Sequence, residues 1–173
     1  MRTFDMDIFN AAGINRQWVQ ENHSRSEQKG IIRGLHFQLP PYAETKLVRC
    51  IRGAILDVFV DIRKGSLTFG KWDSIELSEE NKKCILIPRG FAHGFCTLTD
   101  VSEVMYKVDN YYSKENERGL LWNDIEIGIE WPVDSPILSA KDQNNQTLAD
   151  FIKEHGKIEI LNTDNTDLTD SRR

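Results

Sequence analysis

The sequence predicts an all-β fold, a sandwich or a barrel with a few short helices at its margins, and two observations carry that expectation. From Gly30 to about Val108 the chain reads as short extended runs separated by turn signals: Arg52-Gly53, Lys64-Gly65, the polar stretch 78–83 and Pro88-Arg89-Gly90. Short strands at that spacing point to stacked or closed antiparallel sheets rather than to alternating βαβ units. In the run 54–62, moreover, Leu56, Val58, Val60 and Ile62 fall on one face and Ile55, Asp57, Phe59 and Asp61 on the other. Side chains alternate along a strand, so large apolar groups on both faces mean burial on both sides.

The elements follow in chain order. Residues 8–18 have weak helical periodicity interrupted by Gly13, enough for one short helix. Asp57 then falls on an interior face, where an ionised carboxylate is costly unless it is paired or hydrogen-bonded, so it is expected to have a partner. A closed barrel with a polar pocket in its mouth would supply one. His93 shares strand parity with Phe91 and Phe95, and Tyr106 shares it with Val104 and Val108, so both project where apolar side chains project. Residues 147–155 place Leu148, Phe151 and Ile152 at helical spacing, with Gly156 as the stop. The stretch 162–173 is polar and rich in Asp, Thr and Asn, too poor in apolar surface to order itself, which leaves residues 1–161 as one domain.

With 173 residues the chain is long enough for a single well-buried core. Its 39% hydrophobic and 28% charged composition includes no apolar run long enough to span a bilayer. The opening MRTFDMDIFN carries Asp5 and Asp7 and no uninterrupted apolar stretch, unlike a secretory signal, so a cytoplasmic protein is expected. Cys50, Cys84 and Cys96 lie in apolar surroundings without CxxC spacing and read as buried, reduced packing residues. A net charge of −5 offers no field for nucleic acid, so an anionic ligand would need a local cluster of Arg and Lys.

The ionisable groups in ordered-looking segments are His36 in RGLHF, Lys46, Asp57, His93 in AHGF, Tyr106, and Asp142 in SAKDQ. Each alone has an ordinary structural reading: a satisfied strand histidine, an exposed turn lysine, a core tyrosine with its hydroxyl bonded, an aspartate capping the following helix.

Their flanking sequence resembles the RmlC family, the dTDP-4-dehydrorhamnose 3,5-epimerases. The matching segments run in order: QENHSRS from Gln20, KGIIRGLHFQ from Lys29, KLVRCIRGAILDVFVDIRKGSLTFGKW from Lys46, then LSEENKK, IPRGFAHGF, VMYKVDNYY, ERGLLWND, IGIEWP and LSAKD. They cover the chain from about Arg2 to Asp142. The resemblance implies a cupin-type jelly-roll β-barrel, normally a homodimer, acting on a nucleoside-diphosphate 4-keto-6-deoxysugar in dTDP-L-rhamnose biosynthesis. The implied reaction inverts C3 and C5, which flank the ketone, so a base, an oxyanion stabiliser and an acid on the opposite face suffice and no cofactor is required.

Position by position, the resemblance makes His36 the base, Asp142 the carboxylate that orients it, Lys46 the cation at the ketone oxygen and Tyr106 the acid. An unperturbed imidazole, with a pKa of about 6.5, is mostly neutral at cytosolic pH and competent as a base. His93 and Asp57 match positions lining the same pocket. Arg33 and Arg2 match phosphate-binding arginines, Tyr112 the aromatic that stacks on the base, and Gln20 and Asn22 the segment near the nucleotide. Asp7 and Lys141 complete the expected substrate-binding set. Many cupins hold a metal through an HxH pair, but His23, His36, His93 and His155 are scattered, so no catalytic metal is expected.

The chain departs from the family pattern at its nucleotide end. Thr3 follows Arg2 where the family has glycine, Asp7 stands for a glutamate, QENHS replaces QDNHS, and the family ordinarily has a further N-terminal segment that forms a strand exchanged between subunits. Two other functions therefore stay open: a C3-only or C5-only epimerase of a related dTDP or CDP sugar, and a non-catalytic cupin that binds sugar nucleotides.

Overall fold

The computed structural model describes residues 2–160, so the expected polar tail at 162–173 lies outside the described residues. The described chain divides into two compact units, residues 2–17 and residues 18–160. In the first unit, helix α1 (Met6–Ala11) is capped by Asp5, whose carboxylate accepts from the backbone N–H groups of Asp7 and Ile8. Phe4 and Phe9 pack with ring centroids 5.0 Å apart, the apolar staple that fixes a chain's entry into a helix. The helix lies earlier than the periodicity of 8–18 suggests because this cap and staple set its start, and Gly13 follows with φ +80°.

The second unit carries nine strands: β1 (Gln20–Ser26), β2 (Ile32–Gln38), β3 (Lys46–Arg52), β4 (Ala54–Asp61), β5 (Trp72–Ser78), β6 (Cys84–Ile87), β7 (Phe91–Thr97), β8 (Ser102–Val108) and β9 (Glu117–Gly119). They form a four-stranded sheet ordered β1-β8-β3-β6 and a five-stranded sheet ordered β5-β4-β7-β2-β9, all pairs antiparallel. Short helices α2 (Ala140–Gln143) and α3 (Leu148–His155) follow. No helix among the described residues is long and apolar enough to cross a membrane.

The expected all-β class with short helices is present, but the expected jelly-roll barrel is not, because neither sheet closes. The strands β1 and β6 remain edges of one sheet and β5 and β9 edges of the other. The connections explain the open edges. The chain changes sheet at almost every connection, and the passage from β3 to β4 takes a single residue, Gly53, with φ +69°. Apart from the paired β4 and β5, strands adjacent in sequence thus lie in different sheets instead of pairing, and closure would need hydrogen bonds between edges that the layers keep apart.

The layered arrangement explains the two apolar faces of β4. Between the sheets, Ile55 joins Val48, Cys50, Leu77, Ile87, Phe95 and Val104, with Tyr106, Phe59 and Phe91 packed against them. On the outer face of the five-stranded sheet, Val58 and Val60 join Leu35, Phe37, Ala92, Leu120, Leu148 and Phe151. Helix α3 closes that side, with the ring of Phe151 edge-on to Phe37 at 5.1 Å. Thr147 caps α3, and Gly156 ends it with φ +70°, as the spacing of its apolar residues predicts.

The cysteines differ from expectation in one respect. Cys50 and Cys96 are buried and unpaired, but Cys84 is exposed. It opens the edge strand β6 opposite Arg49, where solvent rather than a neighbouring strand flanks it.

Candidate active site

The site grows from a close approach of two glycines. At Gly34 the backbone has φ +123°, and a Cβ there would lie 2.6 Å from the Cα of Gly94 and 2.7 Å from the carbonyl oxygen of His93. Only glycine allows both that backbone conformation and that contact. The register of β2 against β7 shifts between Arg33 and His36, after which His36 stands opposite His93. The glycines of RGLHF and AHGF thus bring the two histidines side by side. Leu35 and Phe37 point into the outer core, which sends His36 to the opposite face of β2, between the sheets.

A half-open cavity of about 240 Å³ is lined by Gln20, Asn22, His36, Phe37, Gln38, Glu44, Lys46, Tyr106, Val108, Tyr112 and Glu117. His36 Nε2 lies 2.6 Å from Asp142 Oδ1. Asp142 is buried at 4% exposure, and its Oδ2 accepts from the hydroxyl of Ser139 at 2.8 Å. That same hydroxyl caps α2 by accepting from the Asp142 backbone N–H, and Thr147 caps α3, so Asp142 is itself no helix cap. Burial pushes the Asp142 carboxyl up, but the hydrogen bond and charge of His36, the Ser139 hydroxyl and the charge of Lys141 outweigh it and hold the group below its usual range. An ionised carboxylate only accepts, so Nε2 carries the ring proton and Nδ1 is the nitrogen able to take another.

Lys46 opens β3 and is buried at 7% exposure. Its ammonium donates to the carbonyl oxygen of His36 at 3.2 Å and lies 3.4 Å from Glu44 Oε1. Tyr106 stands on β8, opposite Asn22 of β1 and Val48 of β3. Burial, then the charges of Glu44 and Glu117, raise its phenol above the ordinary value, with Arg33 opposing. A base backed by a carboxylate, a fixed ammonium and a protonated phenol around one cavity are the groups needed to remove and return a proton at a carbon beside a carbonyl.

Asp57 has the partner its burial demands: His93 Nε2 lies 2.9 Å from Asp57 Oδ2, and both residues are buried. The pair stands next to His36 in the sheet but is not among the residues lining the cavity. Gln20 donates from Nε2 to Asn22 Oδ1 at 2.8 Å on the cavity wall. Tyr112 donates its hydroxyl to Glu117 Oε2 at 2.9 Å, and Lys141 Nζ lies 2.6 Å from Glu117 Oε1. Arg33 is exposed, donates to the carbonyl of Arg25, and lines a separate surface depression with Arg25, Ser26, Glu27, Gln28 and Ile31. Arg2 and Asp7 belong to the unit 2–17, where Arg2 pairs with Asp5 and Asp7 occupies the first turn of α1. Among the described residues, no group of three or more His, Cys, Asp or Glu is placed to hold a metal ion.

Sequence reasoning missed Gln38, Glu44, Glu117 and Ser139. Strand parity would have found the first, since Gln38 lies two residues after His36 on the same face. The S-x-x-D spacing of Ser139 and Asp142 is a capping signal that also identifies the second partner of Asp142. Glu44 and Glu117 carried no such signal.

A family model described as dTDP-4-dehydrorhamnose 3,5-epimerase matches residues 1–150. The dTDP-4-dehydrorhamnose 3,5-epimerase of Shigella flexneri is 56% identical over 151 residues, covering 87% of this chain and 83% of that protein. The protein of the same name from Escherichia coli K12 is 53% identical over 159 residues, covering 88% and 85%. The crystal structure of the Bacillus anthracis dTDP-4-dehydrorhamnose 3,5-epimerase, with TDP and PPi bound, superposes with a TM-score of 0.84 at 50% identity over 85% of this chain and 84% of that one.

Proposed function

The chain belongs to the dTDP-4-dehydrorhamnose 3,5-epimerase family, and from that premise we propose that it converts dTDP-4-dehydro-6-deoxy-D-glucose to dTDP-4-dehydro-L-rhamnose by inverting C3 and C5. The observation that carries the mechanism is His36, held by Asp142 at 2.6 Å, on the wall of a cavity that Lys46 and Tyr106 also line.

His36 Nδ1 takes the proton from the carbon beside the ketone. The electron pair left behind delocalises onto the carbonyl oxygen, where the ammonium of Lys46 offsets the enolate charge. Asp142 holds the imidazole in the productive tautomer and stabilises the imidazolium, the role of the carboxylate in serine hydrolase triads. Tyr106 returns a proton to the opposite face. Its raised pKa keeps the phenol protonated and ready to donate. The buried His93–Asp57 pair supports the wall behind His36. Gln20, Asn22, Tyr112, Lys141 and Arg33 serve the nucleotide end. A homodimer is the assembly the family resemblance favours, and analytical ultracentrifugation tests it.

The deciding experiment is solvent deuterium exchange into dTDP-4-dehydro-6-deoxy-D-glucose followed by NMR. Label is expected at both C3 and C5, and label at one carbon only would replace this reading with a mono-epimerase. His36→Ala is expected to abolish exchange while dTDP binding persists; exchange that survives the substitution would remove His36 as the base.

A further inference from the structure

Lys46 is a buried cation with a carboxylate at its side that no step of the proposed reaction uses. Glu44 lies in the loop that leads into β3, two residues before Lys46, and lines the same cavity. Its Oε1 lies 3.4 Å from the Lys46 ammonium, and its Oε2 accepts from the Gln38 side-chain amide at 3.0 Å. The Lys46 and Glu44 side chains are 9% and 14% exposed, so water does little to screen the pair. A buried ammonium is costly unless a counter-charge or hydrogen bonds compensate it, and Glu44 supplies the counter-charge.

The chemistry of the two neighbours restricts what residue 44 can be. The Lys46 ammonium and the Gln38 amide nitrogen are both donors, and a carboxylate, which only accepts, serves both at once. An amide in its place would turn its own N–H groups toward one of them. Gln38 is itself buried and holds more than Glu44: its nitrogen also donates to the carbonyls of Tyr42 and Tyr111, and its oxygen accepts from the backbone N–H of Ser113 at 2.6 Å. The carboxylate is thereby tied to β2, the strand that carries His36, and to the loops beside it. A lysine side chain has many rotamers available, and a ligand that needs it must first order it. Here the ammonium is already held between the carbonyl oxygen of His36 at 3.2 Å and the Glu44 carboxylate. An ammonium has three N–H donors, so these two directions leave one for an oxygen in the cavity.

We propose that Glu44 is a positioning residue that aims the Lys46 ammonium into the cavity, with Gln38 as the pin that holds the carboxylate in place. The inference rests on the epimerase reading above, which puts Lys46 at the ketone oxygen. The separation of 3.4 Å suits the role, since the carboxylate is near enough to orient the ammonium without enclosing it. The same carboxylate bears on the acid: burial first, and then the charge of Glu44, raise the Tyr106 phenol.

The test uses the full-length protein in the deuterium-exchange assay with two variants. Glu44→Gln removes the charge and faces an amide N–H to a donor, whereas Gln38→Leu keeps the carboxylate and removes its pin. Glu130→Gln, at an exposed position, controls for the loss of a carboxylate. Glu44→Gln and Gln38→Leu are each expected to lower kcat about tenfold with KM changed less than about twofold, short of the roughly hundredfold that a misplacement of about 1 Å can cost. In a Lys46→Met background, whose residual exchange is followed over long incubation, Glu44→Gln should cause no further loss, because it acts only through the ammonium. The Lys46 ammonium resonance, assigned in proton–nitrogen spectra by its disappearance in Lys46→Met, should shift or broaden in Glu44→Gln, a signature that a structural role elsewhere in the loop would not give. Unchanged or faster exchange in Glu44→Gln, a full further loss in the Lys46→Met background, or a loss carried by KM alone overturns the proposal, as does an unchanged kcat in Gln38→Leu. Should Gln38→Leu fail to fold, the Glu44→Gln cycle and the ammonium resonance decide. An unmodified protein that exchanges no deuterium overturns the epimerase reading instead, while the resonance still reports whether Glu44 orients Lys46, so the two failures are told apart.

Discussion

Replacing Asp142 with Asn keeps the size of the side chain and removes its charge, which isolates what the carboxylate does for His36. The side chain of Asp142 is 5% exposed and that of His36 is 32% exposed, so the pair is partly screened. Two unit charges about 4 Å apart at an effective dielectric of about 20 attract by about 4 kcal/mol. Solvent at the His36 side and the one hydrogen bond an amide can still accept reduce the loss to about 3 kcal/mol of imidazolium stabilisation, or about two orders of magnitude in the rate of proton removal. The amide introduces a second fault. Oriented to donate toward His36, it would leave Nε2 as the acceptor and place the ring proton on Nδ1, the nitrogen that must be bare. The assay is single-turnover deuterium exchange at C3 and C5 at saturating substrate, with dTDP affinity measured in parallel. A rate within about fivefold of the unmodified protein would refute the assignment, because less than about 1 kcal/mol would then depend on the charge.

Two further perturbations test the scaffold. Gly34→Ala forces a Cβ against the Cα of Gly94 in a backbone region that L-residues rarely adopt, so a loss of about 2–5 kcal/mol is expected in urea unfolding, and a smaller loss would mean that β2 and β7 can separate without cost. Asp61 is 1% exposed and accepts from Arg63, Ser66 and Thr68. Burial raises its carboxyl, but these bonds outweigh burial and bring it below the usual value. A depressed folded-state pKa adds stability that is fully present above the unfolded value of about 3.9 and is lost as pH falls through the lower folded value. Asp61→Asn should therefore cost about 2–3 kcal/mol at pH 7 and flatten the acid limb of stability below about pH 4; an unchanged acid limb in thermal melts would rule out this linkage.

Physics applied to single residues reached some of this arrangement. The cost of burying a carboxylate required a partner for Asp57, and His93 is that partner at 2.9 Å. Parity along β7 and β8 placed His93 and Tyr106 among apolar neighbours, and the structure packs Tyr106 against the inter-sheet core. The capped helix α3 was legible in its apolar spacing. What stayed illegible depends on pairs of distant residues. Alternation looks the same in a sandwich and in a barrel, so closure turns on edge hydrogen bonds that no strand announces by itself. Gly34 and Gly94 each look like ordinary strand glycines, and only their mutual approach explains both. Glu44 and Glu117 have the composition of surface charges; Glu117 reaches the cavity wall through its register opposite Gln38, and Glu44 reaches it from the loop that leads into β3.

The open sandwich bears directly on how a carbon centre can be inverted. Inversion needs the base and the acid on opposite sides of the sugar ring, since a single group on one side can only return the proton to the face it left. Here His36 stands on β2 of the five-stranded sheet, while Tyr106 and Lys46 stand on β8 and β3 of the four-stranded sheet. In the proposed mechanism the two layers supply the two faces. In the pairing of β3 with β8, Lys46 stands opposite Val108 and Tyr106 opposite Val48, two positions away on the same face, while the Lys46 ammonium reaches across to the carbonyl oxygen of His36. In the proposed mechanism one base, one cation and one acid on facing layers serve C3 and C5 in turn as the sugar ring shifts between them, without a duplicated set of residues.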